Sequence, residues 1–392
     1  MNMIKKYIWV ALALLAGAGC RKTDFATIND PAYIRVFNCL ETNLSLDNKD
    51  VPQSFLTMLI DPVLDKEGIV TSAAITGDFM QTRDSWARPY PDAANTALYQ
   101  SEYPGTAKVV AAPILNGYDL SSWAQIPSGK HRLIFLSRPL NSIPFFSLDK
   151  GLRNYKLIDT TVDLASHEVY TMNVLEKDYR TRQTHLYVRA ENFHKQPLSD
   201  SLVYVNFYNL SSDGYFELAP KDFSTGISYK LVDSANVYCT LRKSVSSILS
   251  VDIPGFVNIP MGSVFRSQDP KVAKYYSFPL VADTSSNRIF PGNTGQLINF
   301  MKQGHPLGTG AQPWEADMPE GYYLGVKIGP NGRSSGLDHA VSVMADIRSG
   351  LIVTERSGIY NPRYFATVNT IEYINANVYI TTIQRKLDPP IY

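Results

Sequence analysis

Gly332-Arg333-Ser334-Ser335-Gly336 has the G-x-S-x-G spacing of a serine-hydrolase nucleophile elbow. Such an elbow needs a strand running directly into the serine and a helix leaving directly after it. Here Gly329-Pro330-Asn331 breaks the approach. Asp338 and His339 follow too closely to supply the Ser, Asp, His order, so the segment reads as a polar turn. Paired carboxylates are the other route to catalysis, because glycoside hydrolysis sets two of them about 5 to 9.5 Å apart across the scissile bond. Asp61, Asp65 and Glu67 form one loop-like group of acids, and Glu315, Asp317 and Glu320 form another. Spacing alone gives neither group a common cleft, and loop acids usually solvate a surface. The six histidines, at 131, 167, 185, 194, 305 and 339, stand singly, with no metal-ligand spacing. No glycine-rich phosphate loop occurs. The expectation is a non-catalytic protein with no metal and no cofactor, a hydrolase working through paired acids standing third behind binding and structural roles.

Binding has better candidates. Sugars are gripped by flat aromatic faces laid on ring C–H groups, with polar neighbours reading the hydroxyls. Trp86 and Tyr90 lie in the polar, proline-stiffened "RDSWARPYPD", Trp123 follows Tyr118 in "GYDLSSWAQIP", and Trp314 stands in "GAQPWEADMPEGYY" beside Tyr322 and Tyr323. Trp86, Tyr90, Trp123 and Trp314 are therefore the candidate ligand-binding residues, Trp86 first among them. The alternative is that these rings cap a core. Exposure and clustering of Trp86, Tyr90 and Trp123 would favour the glycan reading.

The start of the chain speaks of address. Lys5 and Lys6 precede a charge-free run from Ile8 to Gly19. A membrane-spanning helix needs about 20 apolar residues, so this run fits an export signal and not a span. Ala16-Gly17-Ala18 suits an ordinary secretory cleavage, whereas Gly17-Ala18-Gly19-Cys20 resembles a bacterial lipobox, in which Cys20 becomes the lipid attachment site. The lipobox is the preferred reading: residues 1–19 as signal peptide and 20–31 as a polar, lipidated tether. Stable anchoring takes two acyl chains or signals, since each buried methylene contributes about 0.8 kcal/mol.

The full chain has 37 basic and 36 acidic residues, and removing residues 1–19 takes away two lysines, leaving a net charge of −1. That balance argues against a nucleic-acid partner, whose binding rests on neutralised phosphates. Cys39 and Cys239 lie in strand-like runs; Val237, Cys239 and Leu241 share a face, so Cys239 reads as a small buried apolar residue.

Aromatic, strand-like runs separated by Gly/Pro turns indicate an all-β protein of two antiparallel β-sandwich domains with few short helices. Ile34, Val36 and Leu40 alternate on one face of the first strand, "YIRVFNCL". Further strands are expected at 107–115, 131–137, 155–164, 168–176, 184–193 and 202–210, and short helices at 271–276 and 294–304. The charged "EKDYRTRQ" (176–183) marks the boundary, giving domains over 32–178 and 184–392. The chain also echoes itself. Tyr33-Ile34-Arg35-Val36-Phe37-Asn38 matches Tyr204-Val205-Asn206-Phe207-Tyr208-Asn209, and "IPSGKHRLIF" is echoed by "IPMGSVF" and "MPEGYYLGVKI".

"YIRVFN", "IPSGKHRLIF" and "TTVDLASHEVYTMNV" together resemble outer-membrane lipoproteins of Bacteroidota with tandem immunoglobulin-like domains of uncharacterised function. Ile126-Pro127-Ser128-Gly129 stands where that family has a Val-Pro-Ala-Gly turn. Leu164 to Thr171 stands where it has Leu-x-x-Gly-x-x-Tyr-Thr, with His167 in the glycine's place. The resemblance implies immunoglobulin-like sandwiches and an outer-membrane address through lipid, palmitate included, on Cys20. It leaves open the cell surface or the periplasmic face. It also implies a binding or accessory role, with a glycan of an uptake system or an outer-membrane protein as partner, a structural or assembly role being the alternative. It carries no active site.

Overall fold

The computed structural model describes residues 28–41, 45, 47–83, 90–91, 109–199, 202–219, 233–244, 250–279, 282–283, 288–289, 294–302, 323–328, 367–375 and 377–385. The fold is all-β and of sandwich type, with several sheets, none closed, and a single short α-helix among the described residues. Ten strands come first: β1 (Pro31–Asn38), β2 (Gln53–Leu64), β3 (Val70–Met80), β4 (Ile114–Leu115), β5 (Tyr118–Asp119), β6 (Ala124–Pro127), β7 (Gly129–Arg138), β8 (Lys156–Leu164), β9 (Val169–Asp178) and β10 (Gln183–Glu191). They form two four-stranded sheets, ordered β10-β9-β1-β6 and β3-β2-β7-β8, and a small β4–β5 hairpin. Pairing is antiparallel except between β1 and β9, which run parallel.

Side-chain alternation explains how the sheets stack. Even-numbered Ile34, Val36 and Leu40 of β1 and its exit meet Met172 and Val174 of β9, and Leu56, Met58, Leu133 and Phe135 of the facing sheet, in one core. The odd face of β1 is buried as well. Tyr33 joins a second cluster with Trp123, Phe193, Val368 and Ile383, while Phe37 and Cys39 join a third with Tyr187, Tyr208 and Tyr379. All eight residues of β1 are buried, so the strand is an interior one, covered on both faces.

The second strand set repeats the first. It comprises β11 (Leu202–Asn209), β12 (Ser234–Ser244), β13 (Ser250–Asp252), β14 (Ile259–Phe265), β15 (Tyr276–Pro279), β16 (Ala282–Asp283), β17 (Arg288–Ile289), β18 (Thr294–Lys302), β19 (Tyr323–Ile328), β20 (Thr367–Ile374) and β21 (Asn377–Gln384). Its sheets are ordered β21-β20-β11-β15 and β13/β14-β12-β18-β19. Strand by strand this is the order of the first half. Here too the opening strand lies between a parallel partner and an antiparallel one. Tyr33 pairs with Val169 and Arg35 with Thr171; Tyr204 pairs with Val368 and Asn206 with Thr370. The echo between "YIRVFN" and "YVNFYN" is thus a shared position and register.

The asparagine closing each opening strand does the same work twice. Asn38 Oδ1 accepts from Leu40 N at 3.2 Å, and its Nδ2 donates to Ser54 O at 2.7 Å and to Met80 O at 3.0 Å. Asn209 Oδ1 accepts from Ser211 N at 3.2 Å, and its Nδ2 donates to Asp233 O at 3.2 Å. Each side chain satisfies buried backbone groups where the chain leaves one sheet for the next.

Val203, Val205, Phe207, Val237, Cys239, Leu241, Ile298, Phe300, Ile371 and Tyr373 form the second half's own core. The opposite faces of β11, β20 and β21 carry Tyr204, Tyr208, Val368, Ile374, Tyr379 and Ile383 into the clusters shared with β1. The described sheets therefore stack in four layers, with β10-β9-β1-β6 and β21-β20-β11-β15 packed against each other in the middle.

Several expectations change in detail. The expected boundary at 176–183 is the turn of the β9–β10 hairpin, made charged by exposure and tightened by Asp178 accepting from Thr181 N at 2.7 Å. β10 closes the first sheet, so the chain passes to the second strand set after Glu191 and not at 184. Residues 294–302, expected within a short helix, form β18: Ile298 and Phe300 alternate into the core, where a helical period was read. Of the expected strand at 107–115, only Ile114–Leu115 is a strand among the described residues. The two I-P-x-G segments differ in role. At Gly129, φ is +117° and the chain crosses from one sheet to the other, whereas Ile259–Phe265 is one continuous strand. His167 has φ of +61°, the left-handed conformation for which glycine is suited.

Candidate functional site

Tyr90 and Trp123, expected as ligand platforms, are core residues, 2% and 1% exposed. Tyr90 bridges to Val36, whose N–H donates to Tyr90 O at 2.8 Å while Tyr90 N donates back at 2.6 Å. Its ring covers Gly77 so closely that a Cβ there would meet Tyr90 Cδ2 at 2.7 Å. Trp123 packs in another cluster, beside Phe193, with the Arg35 guanidinium 3.7 Å from its ring. Both rings pack onto the sheets, because burying about 150–250 Å² of aromatic surface outweighs polar sequence neighbours. The two rings share no surface. Cys20, Trp86 and Trp314 lie outside the described residues.

The polar feature that stands out is buried between the two inner sheets. Arg83, just past β3, donates from Nη1 to Glu372 Oε2 at 2.7 Å, and Arg189 of β10 donates from Nη1 to Glu372 Oε1 at 2.9 Å. Arg189 also holds Glu191 at 2.9 Å. Glu372 belongs to β20, so one carboxylate of the second half grips two guanidiniums of the first. Arg83 is sandwiched between Phe37 and Tyr379, at 3.9 and 4.3 Å from the ring centres, and its Nη2 donates to Thr381 Oγ1 at 3.2 Å. Arg189 stacks on Tyr208 at 4.0 Å.

Burial opposes the ionised form of Glu372, but Arg189 and Arg83 outweigh it and hold the carboxyl at about 2. Arg35 lies in the same interior, pulled down to about 9 by burial and then by the like charge of Arg83, and still charged at neutral pH. Three guanidiniums against two carboxylates leave an excess positive charge in the seam. The arrangement clamps; its acids are all spoken for by arginines, and it presents no open nucleophile.

The acids singled out in sequence are engaged elsewhere. Asp61 pairs with His131 at 2.7 Å, and Asp65 and Glu67 both pair with Lys150. Glu315, Asp317, Glu320 and the 332–336 turn lie outside the described residues. Cys39 and Cys239 are free thiols in separate clusters, and burial pushes both up to about 12. Among the described residues no group of three His, Cys, Asp or Glu could hold a metal ion, and no helix is long and apolar enough to cross a membrane.

Compared with protein-family models and with curated proteins, the sequence matches none.

Sequence reasoning missed Arg35, Arg83, Arg189, Glu191 and Glu372. One signal was available: the face of β1 opposite Ile34 and Val36 reads Tyr33, Arg35, Phe37, Cys39, too aromatic for a solvated face.

Proposed function

We propose that the protein is a non-catalytic lipoprotein, anchored through Cys20 to an outer membrane, that serves as a rigid accessory or assembly module. The observation that carries this reading is the seam. Two sandwiches of one plan are joined by fully buried sheet faces and by Glu372 gripping Arg83 and Arg189, which suits a body that holds a fixed shape above a membrane. A seam closed by buried ion pairs leaves little freedom for hinge motion, since separating the faces would strand charges away from partners. The non-catalytic part is supported by the engagement of Asp61, Asp65, Glu67, Glu191 and Glu372 in ion pairs. Burial of Tyr90 and Trp123 favours an outer-membrane protein over a glycan as partner.

The test is metabolic labelling with an alkyne-bearing palmitate, followed by fractionation of cells producing the wild type or Cys20→Ala. Labelled wild type in the membrane pellet and unlabelled, soluble Cys20→Ala are expected. A Cys20→Ala protein that still takes up label and pellets with membranes would overturn the reading.

A further inference from the structure

The two halves differ where the opening strand leaves its sheet. Asn38 pairs with Val174 as Asn209 pairs with Tyr373, so by count Glu41 stands where Ser212 does, and Glu176 where Asn375 does. In the second half these residues close on each other. Asn375 Oδ1 accepts from Ser212 N at 2.9 Å and from Ser212 Oγ at 3.1 Å, and Asn375 N donates to Ser211 Oγ at 2.9 Å. In the first half two carboxylates hold the same positions, and ionised carboxylates only accept. The hairpins differ too. Val174 faces Leu186 as Tyr373 faces Val378, so residues 177–184 stand where the second half has residue 376 alone.

At this end of the first sandwich the two sheets part around a cavity of about 330 Å³. Leu40, Pro52 and Leu157 give it apolar walls, and Arg182 and Thr184 reach it from the longer hairpin. The volume lies at the lower end of small-ligand sites, which combine apolar walls with a few convergent polar groups.

The polar lining offers both donors and acceptors. Ser137, 8% exposed, presents a hydroxyl that bonds nothing else among the described residues. Arg182 donates from Nη1 to Glu176 Oε2 at 3.1 Å and is stacked on Tyr179, and its half-exposed guanidinium carries further N–H groups. Gln53 donates from Nε2 to Asn48 O at 3.1 Å, and Thr184 donates its hydroxyl hydrogen to Leu157 O at 3.3 Å. Each keeps an oxygen able to accept. Ser54 also lines the cavity and is already engaged. Glu41 stands exposed at the rim, with no cation paired to it among the described residues. Glu176 Oε1 is sealed from the cavity and takes no part.

We propose that this cavity binds one neutral hexopyranose. Its hydroxyls accept from Ser137 and Arg182 and donate to Glu41, Gln53 and Thr184, and its ring C–H groups lie on Leu40, Pro52 and Leu157. A hydroxyl both donates and accepts, so a polyhydroxyl compound alone answers every open group. An ammonium has no acceptor for Ser137 or Arg182. An anion has no donor for Glu41, Gln53 or Thr184. An amino-acid zwitterion needs a free guanidinium for its carboxylate, and Arg182 is already neutralised by Glu176. Glu41, being exposed, stays hydrated on its outer side and needs no counter-charge. The inference is independent of the membrane-anchoring proposal, and it rests on none of the aromatic residues expected from sequence to hold a glycan.

The test is saturation-transfer NMR on the full chain as its Cys20→Ala variant, titrated separately with glucose, galactose and mannose. Butylammonium chloride, sodium acetate and glycine serve as controls. Saturable binding of at least one hexose is expected, and none of the controls. Ser137→Ala is expected to weaken binding about threefold to tenfold, through loss of one hydrogen bond. Glu41→Gln is expected to weaken it about threefold, through loss of a charge-assisted acceptor. Glu41 is exposed, so its variant keeps the test open if Ser137→Ala does not fold. The proposal is overturned if none of the three hexoses binds, if a control binds as well as the best hexose, or if either folded variant keeps the starting affinity.

Discussion

Arg83 and Glu372 are 289 positions apart in the chain and meet at 2.7 Å, both side chains 1% exposed. Their contact ties the residue leaving β3 to the middle of β20, and so ties the first strand set to the second. Burying charge is costly in itself, and a buried pair adds little net stability over apolar residues of equal volume. What it adds is dependence: each partner needs the other, and the two sandwiches can separate only by exposing both.

Glu372→Ala strands the buried Arg83 guanidinium and leaves Arg189 with Glu191 alone, and is expected to cost about 3–5 kcal/mol, read from urea unfolding. Replacing Arg83, Arg189, Glu191 and Glu372 together by Met, Met, Leu and Leu, so that no buried charge of the clamp is left behind, should recover most of that loss. A single Glu372→Ala within about 0.5 kcal/mol of wild type would contradict a buried, charged clamp.

Acid should loosen the same contact. The folded carboxyl of Glu372 is held at about 2, below the 4.5 of an ordinary glutamate, so its contribution is complete above 4.5 and fades as pH falls from there toward 2. The shift corresponds to a loss on the order of 3 kcal/mol. Unfolding measured between neutral and acid pH should show a fall that is missing in Glu372→Gln.

Asn38→Ala and Asn209→Ala each remove backbone partners at equivalent places in the two halves. Each should destabilise by about 1–3 kcal/mol in chemical denaturation. A neutral effect at either would mean that water satisfies those groups instead.

His167→Gly relieves a left-handed residue and should raise stability by up to about 1 kcal/mol, the lower end of the cost of that conformation for a residue with a Cβ. A fall in the thermal midpoint would mean that the imidazole contributes more than the strain removes.

Cys39 and Cys239, 8% and 2% exposed and with thiols pushed up to about 12, should not react with a disulfide reagent in the folded Cys20→Ala protein. Both should react on denaturation, counted by absorbance.

Strands whose alternation involves one neighbour were legible from sequence. Ile34 and Val36, Val237 and Cys239, and the register shared by Tyr33 and Tyr204 all follow from a period of two. So did the turn at 126–129, where Gly129 supplies the positive φ. The seam was not legible. The aromatic face of β1 hints that something covers it, but nothing local in Tyr33, Arg35, Phe37 and Cys39 says that the cover is a second sheet of the same chain. Glu372 looks like any exposed strand acid, because its partners are set by the stacking of sheets and not by a local pattern. Tyr90 and Trp123 misled for a related reason. Proline, glycine and charged neighbours describe the loop's backbone, whereas the rings go where apolar area can be buried.

The most direct test of the account is differential scanning calorimetry of the wild type. If the two sandwiches form one body through the Glu372 clamp, they unfold in a single transition whose calorimetric and van't Hoff enthalpies agree. Two separate transitions in the wild type, each with the enthalpy of one sandwich, would contradict it.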